Sequence, residues 1–279
     1  MVGSRFGAGY DRGMPNTSRV RRAARRLSSA GRSLPDFLVV GGVRCGTSSF
    51  FNWIATHPDV RGASRKEVHF FDYNYDRGAG WYRSFFPGRT AHGVSFEASP
   101  SYLAHPSAST RAHDLVPDAR IIAILRDPVD RAWSHYRFRR ASGHEIRTFA
   151  AAMGDELSVD DAGPAGGFSA ERTVPYLVGG RYADQLPVWI DAFGNDRVLV
   201  IDATAMFERP TEVQAEVQNF IGVSHLDIPL ERLNLSPPEP LDEQTKSELQ
   251  DYFEPHNVRL ADLVEAPIGW LAPRGIKER

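Results

Sequence analysis

Short apolar runs alternate with longer segments of helical periodicity along this chain. Phe37–Val40, Val94–Glu97, Ile121–Leu125 and Arg197–Ile201 are apolar runs of strand length. Between them, apolar residues recur at helical spacing. Thr47–His57 carries Phe50, Phe51, Trp53 and Ile54. Ser107–Leu115 is a second helix. After Ile121–Leu125, Asp127 is placed to cap a third, with Pro128 at its first position and Ala132, Trp133 and Tyr136 along it. Gly180–Phe193 reads as a helix through Tyr182, Leu186, Trp189 and Ile190. Thr211–Ile221 and Asp242–Val264 are further helices, separated by the Pro-rich Ser236–Pro240. Beyond Arg140 the periodicity fades, and Ser158–Phe168, rich in Gly, Asp and Ala, reads as a mobile loop. No internal repeat is visible. Strands alternating with helices predict an α/β fold: a central parallel sheet with helices on both faces, in three α/β/α layers.

Composition narrows the setting. With 279 residues, 42% of them hydrophobic, the chain is long enough to bury one large core. No apolar stretch approaches the roughly 18 residues that span a bilayer, and the N-terminus shows no apolar signal-peptide segment. The single cysteine, Cys45, excludes an internal disulfide and leads to the expectation of a reducing, cytoplasmic setting. Charge is uneven. Residues 1–33 hold eight Arg and one Asp, leaving 25 basic and 34 acidic groups for the remainder. Residues 1–34 are therefore expected to be an Arg-rich flexible extension able to touch an acidic partner or a membrane surface, and 35–279 a single domain. Nucleic acid is not an expected partner. Only three lysines, Lys66, Lys246 and Lys277, stand against 30 arginines, so a Lys inside a motif carries weight.

Residues 39–50 read Val-Val-Gly-Gly-Val-Arg-Cys-Gly-Thr-Ser-Ser-Phe. A strand, a glycine turn and a helix N-terminus make an anion site, because free backbone N–H groups and the helix dipole converge there. A nucleotide-kinase loop places Lys after its second Gly. Here that position is Thr47, and the cation is Arg44, three residues earlier. A second segment, Leu125-Arg126-Asp127-Pro128, leads into a helix with Ser134 two turns on. A guanidinium and a hydroxyl at that spacing can grip a second phosphate. A third, Arg65-Lys66-Glu67-Val68-His69-Phe70-Phe71-Asp72, sets a Lys, a Glu and a His among apolar residues. Glu67 and His69 are both candidates for a general base. The nine His are scattered, and no metal-ligand cluster is expected.

Together these segments resemble the sulfotransferases that use 3′-phosphoadenosine 5′-phosphosulfate (PAPS), above all the heparan-sulfate-type branch and its bacterial relatives. The resemblance continues in Phe96-Glu97-Ala98-Ser99-Pro100-Ser101-Tyr102, in Gly180-Arg181-Tyr182 with Trp189, and to about Trp270. It implies a P-loop-like fold, PAPS as co-substrate and no metal. The backbone of Arg44, Cys45, Gly46, Thr47, Ser48 and Ser49, with the Thr47 and Ser48 hydroxyls, would hold the 5′-phosphosulfate. Arg44 would take the place of the family's catalytic Lys, Arg126 and Ser134 would hold the 3′-phosphate, and Glu67 would take the acceptor's proton.

The chain departs from that pattern in three places. Arg44 replaces a Lys, so Lys66 is a candidate to share its role. Ala98 stands where heparan-sulfate enzymes commonly carry a Lys. Leu235–Pro240 lacks the Lys-Gly-Arg trio expected to close over the nucleotide. A cytoplasmic, disulfide-free chain leads to the expectation of a small-molecule, glycolipid or carbohydrate acceptor, and the acidic body argues against a highly anionic one. The competing readings are a P-loop nucleotide kinase and a non-catalytic nucleotide-binding relative.

Overall fold

A computed structural model describes residues 31–88, 93–159, 174–233, 239–264 and 267–271. Five parallel strands lie in the order β2-β3-β1-β4-β5: β1 Phe37–Val39, β2 Val60–Gly62, β3 Val94–Ala98, β4 Arg120–Leu125 and β5 Val198–Asp202. Phe37 pairs with Phe96 on one side and Arg120 on the other.

Side chains alternate across a strand, so successive residues feed two different layers. Leu38, Ile121, Ala123 and Leu125 enter one core with Tyr82, Tyr102, Trp189 and Leu260. Phe37, Val39, Ile122 and Ile124 enter the other with Phe50, Trp53, Ile54 and Val217. The first layer is covered by α2 (Ala79–Arg83), α3 (Ala108–Leu115), α7 (Pro187–Phe193) and α10 (Glu243–Leu263); the second by α1 (Thr47–Ile54), α8 (Ala203–Glu208) and α9 (Pro210–Ile221). A third cluster joins α4 (Pro128–Ala141), α5 (Phe149–Val159) and α10. The expected three layers are present.

Local chemistry explains most of the boundaries. Asp127 caps α4 as expected, its Oδ1 accepting from Val129 N at 2.9 Å and Asp130 N at 3.1 Å. The single helix expected over 180–193 is divided into a short 3-10 turn, α6 (Tyr182–Gln185) and α7. Pro187 has no N–H to continue the ladder and its ring crowds the preceding turn, so a new helix starts at Pro187 itself. Helix α5 and strand β2 were not expected. The former is Ala-rich with little contrast between faces; the latter is short and half polar. The loop expected at 158–168 lies outside the described residues beyond Val159, as do residues 1–30 of the Arg-rich head and residues 234–238 of the Pro-rich loop.

Chain direction reverses between β1 and β4. The chain leaves β1 toward β2 on one side, and leaves β4 toward β5 on the other. The crevice above the carboxyl ends of those two strands is where open α/β sheets bind ligands.

Candidate active site

The loop after β1 is shaped by close approach. A Cβ on Gly41 would sit 2.4 Å from Ile124 N, so only glycine lets the loop pass over β4. Gly46 turns left-handed (φ 83°) as the N-cap of α1, and Arg44 does so at φ 72°. The first turn of α1 has no partners for its amides inside the helix, and the loop curves around them. Such an arrangement is suited to an anion. Thr47 and Ser49 are buried, Ser48 is half-buried, and Ser49 Oγ accepts from Leu233 N at 2.9 Å. Cys45 contributes backbone only. Its Sγ points into the core, 3.6 Å from Tyr182 Oη, and burial pushes the thiol pKa up. Tyr182 also donates to the Arg126 carbonyl at 3.0 Å, tying the loop to the end of β4.

Across the crevice, Arg44 Nε donates to Ser134 Oγ at 3.3 Å, and its guanidinium lies 4.7 Å from the Phe138 ring centroid. Arg126 stands at the end of β4, with Asp130 at 3.8 Å. Burial, and then the nearby Arg126 and Arg137 charges, pull the Arg44 pKa downward. The structure therefore joins Arg44 to Ser134 and sets Arg126 near enough to act on the Arg44 charge. The side chain of Arg44 reaches toward the position expected for the 3′-phosphate.

The acceptor-side segment is a turn held against the tip of β3. Glu67 N donates to the Ala98 carbonyl at 3.0 Å. Among the described residues, Arg44, Glu67 (φ 60°) and His69 (φ 53°) are the only non-glycine residues in the left-handed region. Such strain persists only where surroundings enforce it. A charged chain runs through the turn: Lys66 Nζ to Glu67 Oε1 at 2.5 Å, Glu67 Oε2 to His69 Nε2 at 3.5 Å, and His69 Nδ1 to buried Asp72 Oδ2 at 2.9 Å. Ser101 Oγ donates to the same Asp72 oxygen at 2.6 Å.

Two protonation states follow. Burial opposes ionisation of Glu67, but hydrogen bonding from His69 and the Lys66 charge outweigh it and hold the carboxyl at about 2. Burial likewise opposes a charged His69. The Asp72 and Glu67 carboxylates win, raising the imidazole to about 9. At neutral pH His69 is thus an imidazolium, a donor with no lone pair to offer as a base. Asp72 and Ser101 were missed by sequence reasoning; an Asp three residues after a His was the available signal. Among the described residues, no group of three or more His, Cys, Asp or Glu is arranged to hold a metal.

The Sulfotransferase domain family matches residues 34–255. This chain belongs to the sulfotransferase family. It is 32% identical over 264 residues to the human bifunctional heparan sulfate N-deacetylase/N-sulfotransferase 3, covering 83% of this chain and 30% of that protein. To the mouse heparan sulfate glucosamine 3-O-sulfotransferase 6 it is 33% identical, covering 76% and 60%. The chain thus spans about a third to three fifths of the length of these relatives. A solved sulfotransferase from Alicyclobacillus acidocaldarius shares the fold at a TM-score of 0.74 and 27% identity, over 86% of this chain and all of that one.

Proposed function

We propose that this sulfotransferase moves a sulfuryl group from PAPS to a hydroxyl or amine of a carbohydrate acceptor, with Glu67 as the base. The observation that carries the reading is the mounting of the two halves. The basic glycine loop leaves the end of β1, and the carboxylate turn is bonded to the end of the adjacent β3, where Val39 pairs with Ala98. An in-line displacement needs a cationic anion cradle on one side and a proton acceptor on the other.

PAPS, when bound, supplies the sulfuryl group and an anionic leaving phosphate. The chain's own residues do the rest. The loop amides and the α1 N-terminus cradle the phosphosulfate. Arg44, Arg126 and Ser134 take the 3′-phosphate. Lys66 is the ammonium nearest the base, so it serves as the cation facing the transferred group. His69, fixed by Asp72, orients the Glu67 carboxylate so that one oxygen meets the acceptor. A bound anion competing for Lys66 weakens the ion pair that depresses Glu67, which makes the carboxylate a better base when it is needed.

The named relatives act on heparan sulfate, which supports a sugar acceptor. Ala98, where those enzymes commonly carry Lys, favours a less anionic one than heparan sulfate itself. The test is a panel of labelled-donor reactions. It sets N-unsubstituted glucosamine oligosaccharides against small alcohols and phenols, with products read by mass. Glu67→Gln should lower transfer at least about 100-fold while leaving binding of 3′-phosphoadenosine 5′-phosphate (PAP) unchanged. Full transfer by that variant would sink the assignment.

A further inference from the structure

Glu97 is a fully buried carboxylate near the end of β3, on the same face as Leu38, its partner in β1. Its Oε1 accepts from Tyr82 Oη at 3.1 Å, and its Oε2 from Ser99 Oγ at 3.0 Å. Tyr102 hydrogen-bonds it as well. A carboxyl group buried this deep is costly unless its oxygens are hydrogen-bonded, and these are.

What its acceptor oxygens do is set the direction of two hydroxyls. A Ser or Tyr hydroxyl has one proton to give. Ser99 and Tyr102 give theirs to Glu97, so their lone pairs face the other way. Those lone pairs receive three consecutive backbone amides. His69 N donates to Ser99 Oγ at 3.2 Å; Phe70 N and Phe71 N donate to Tyr102 Oη at 2.6 and 3.2 Å. The amides belong to the turn that holds Glu67 and His69 in left-handed backbone. Nothing in this arrangement needs the donor loop.

We propose that Glu97 is a positioning residue for the acceptor-side turn: through Ser99 and Tyr102 it locks the 69–71 amides, and with them the placing of His69 and Glu67. The proposal deepens the reading of Glu67 as base and rests on it for the effect on turnover. The locking itself is independent of that reading.

The full chain, labelled with ¹⁵N and with ¹³C at the histidine ring, provides the test. In Glu97→Gln an amide NH₂ replaces one acceptor oxygen, so at least one hydroxyl must turn. Amide exchange at 69–71 should quicken tenfold or more, and the His69 titration midpoint should fall as its ring drifts from Asp72. PAP affinity should stay within twofold. Ser99→Ala, a milder change, should speed exchange at His69 while sparing Phe70 and Phe71. Native exchange and an unshifted His69 titration in a folded Glu97→Gln would overturn the proposal. So would an unchanged His69 amide in Ser99→Ala, which decides the matter if Glu97→Gln does not fold. Failure of the base assignment looks different: Glu67→Gln would keep transfer while Glu97→Gln still released the turn.

Discussion

Arg44 Nε donates to Ser134 Oγ at 3.3 Å, joining two residues that stand 90 positions apart in the chain. The contact bridges the loop after β1 and the helix after β4, so the cation expected at the leaving phosphate lies beside the hydroxyl proposed for the second phosphate. Arg44→Lys keeps the charge but loses the fork, and a shorter reach follows. PAP affinity should weaken about tenfold, the value of one charge-assisted hydrogen bond at the low end of its range. Ser134→Ala should weaken it less, and the double variant should be non-additive by calorimetry. Turnover of Arg44→Lys is informative separately. A higher rate would mark the natural Arg as a compromise, and a lower one as tuned.

Lys66→Met removes the ammonium 2.5 Å from Glu67. The charge that helps hold Glu67 near 2 is lost, so its pKa rises toward the ordinary carboxylate value. The acid limb of the transfer profile should move to higher pH, and the maximum rate should fall. An acid limb that stays in place would show that Lys66 does not act on the base.

The His69 midpoint, raised to about 9, makes a stability prediction of definite sign. A group with a raised folded pKa stabilises fully below its unfolded value, about 6.5, and loses that contribution as pH climbs through 9. His69→Asn should therefore cost most stability below pH 6.5, with the deficit shrinking to nothing above 9. Urea midpoints of both proteins across that range measure it. Glu97 adds a contribution of the same sign at lower pH. Burial lifts it to about 7 against hydrogen bonds from Tyr102, Ser99 and Tyr82, with the His69 charge also opposing. Its ionisation as pH rises from about 4.5 to 7 subtracts stability.

Gly41→Ala tests the close approach of the loop to β4. The added methyl would meet the Ile124 backbone at 2.4–2.9 Å, atoms that cannot swing aside. Destabilisation of about 3 kcal/mol, the upper end of the overpacking range, should appear as a lower urea midpoint with PAP binding weakened in parallel.

The parallel sheet and the Asp127 cap could be read from residues alone, because each depends on local periodicity or spacing. Other features could not. The left-handed residues Glu67 and His69 sit in a turn whose amides are bonded by Ser99 and Tyr102, about thirty residues away. Neither residue is a glycine that would announce the conformation. Glu97 was visible only as one letter of a resembling motif; its meaning comes from which hydroxyls it faces. The choice between Glu67 and His69 depended on Asp72, whose carboxylate turns a nominal base into an imidazolium.

The pairing of β1 with β3 acts as a ruler. Phe37, Leu38 and Val39 are matched to Phe96, Glu97 and Ala98, and the next rung is Ser99 N on the Val39 carbonyl at 3.1 Å. Sliding that pairing by a single residue would throw Glu97 through the sheet into the layer of Phe50 and Trp53, and would carry the Glu67 turn away from the glycine loop. Strand registry, normally a matter of folding, here sets the distance between the two reacting halves.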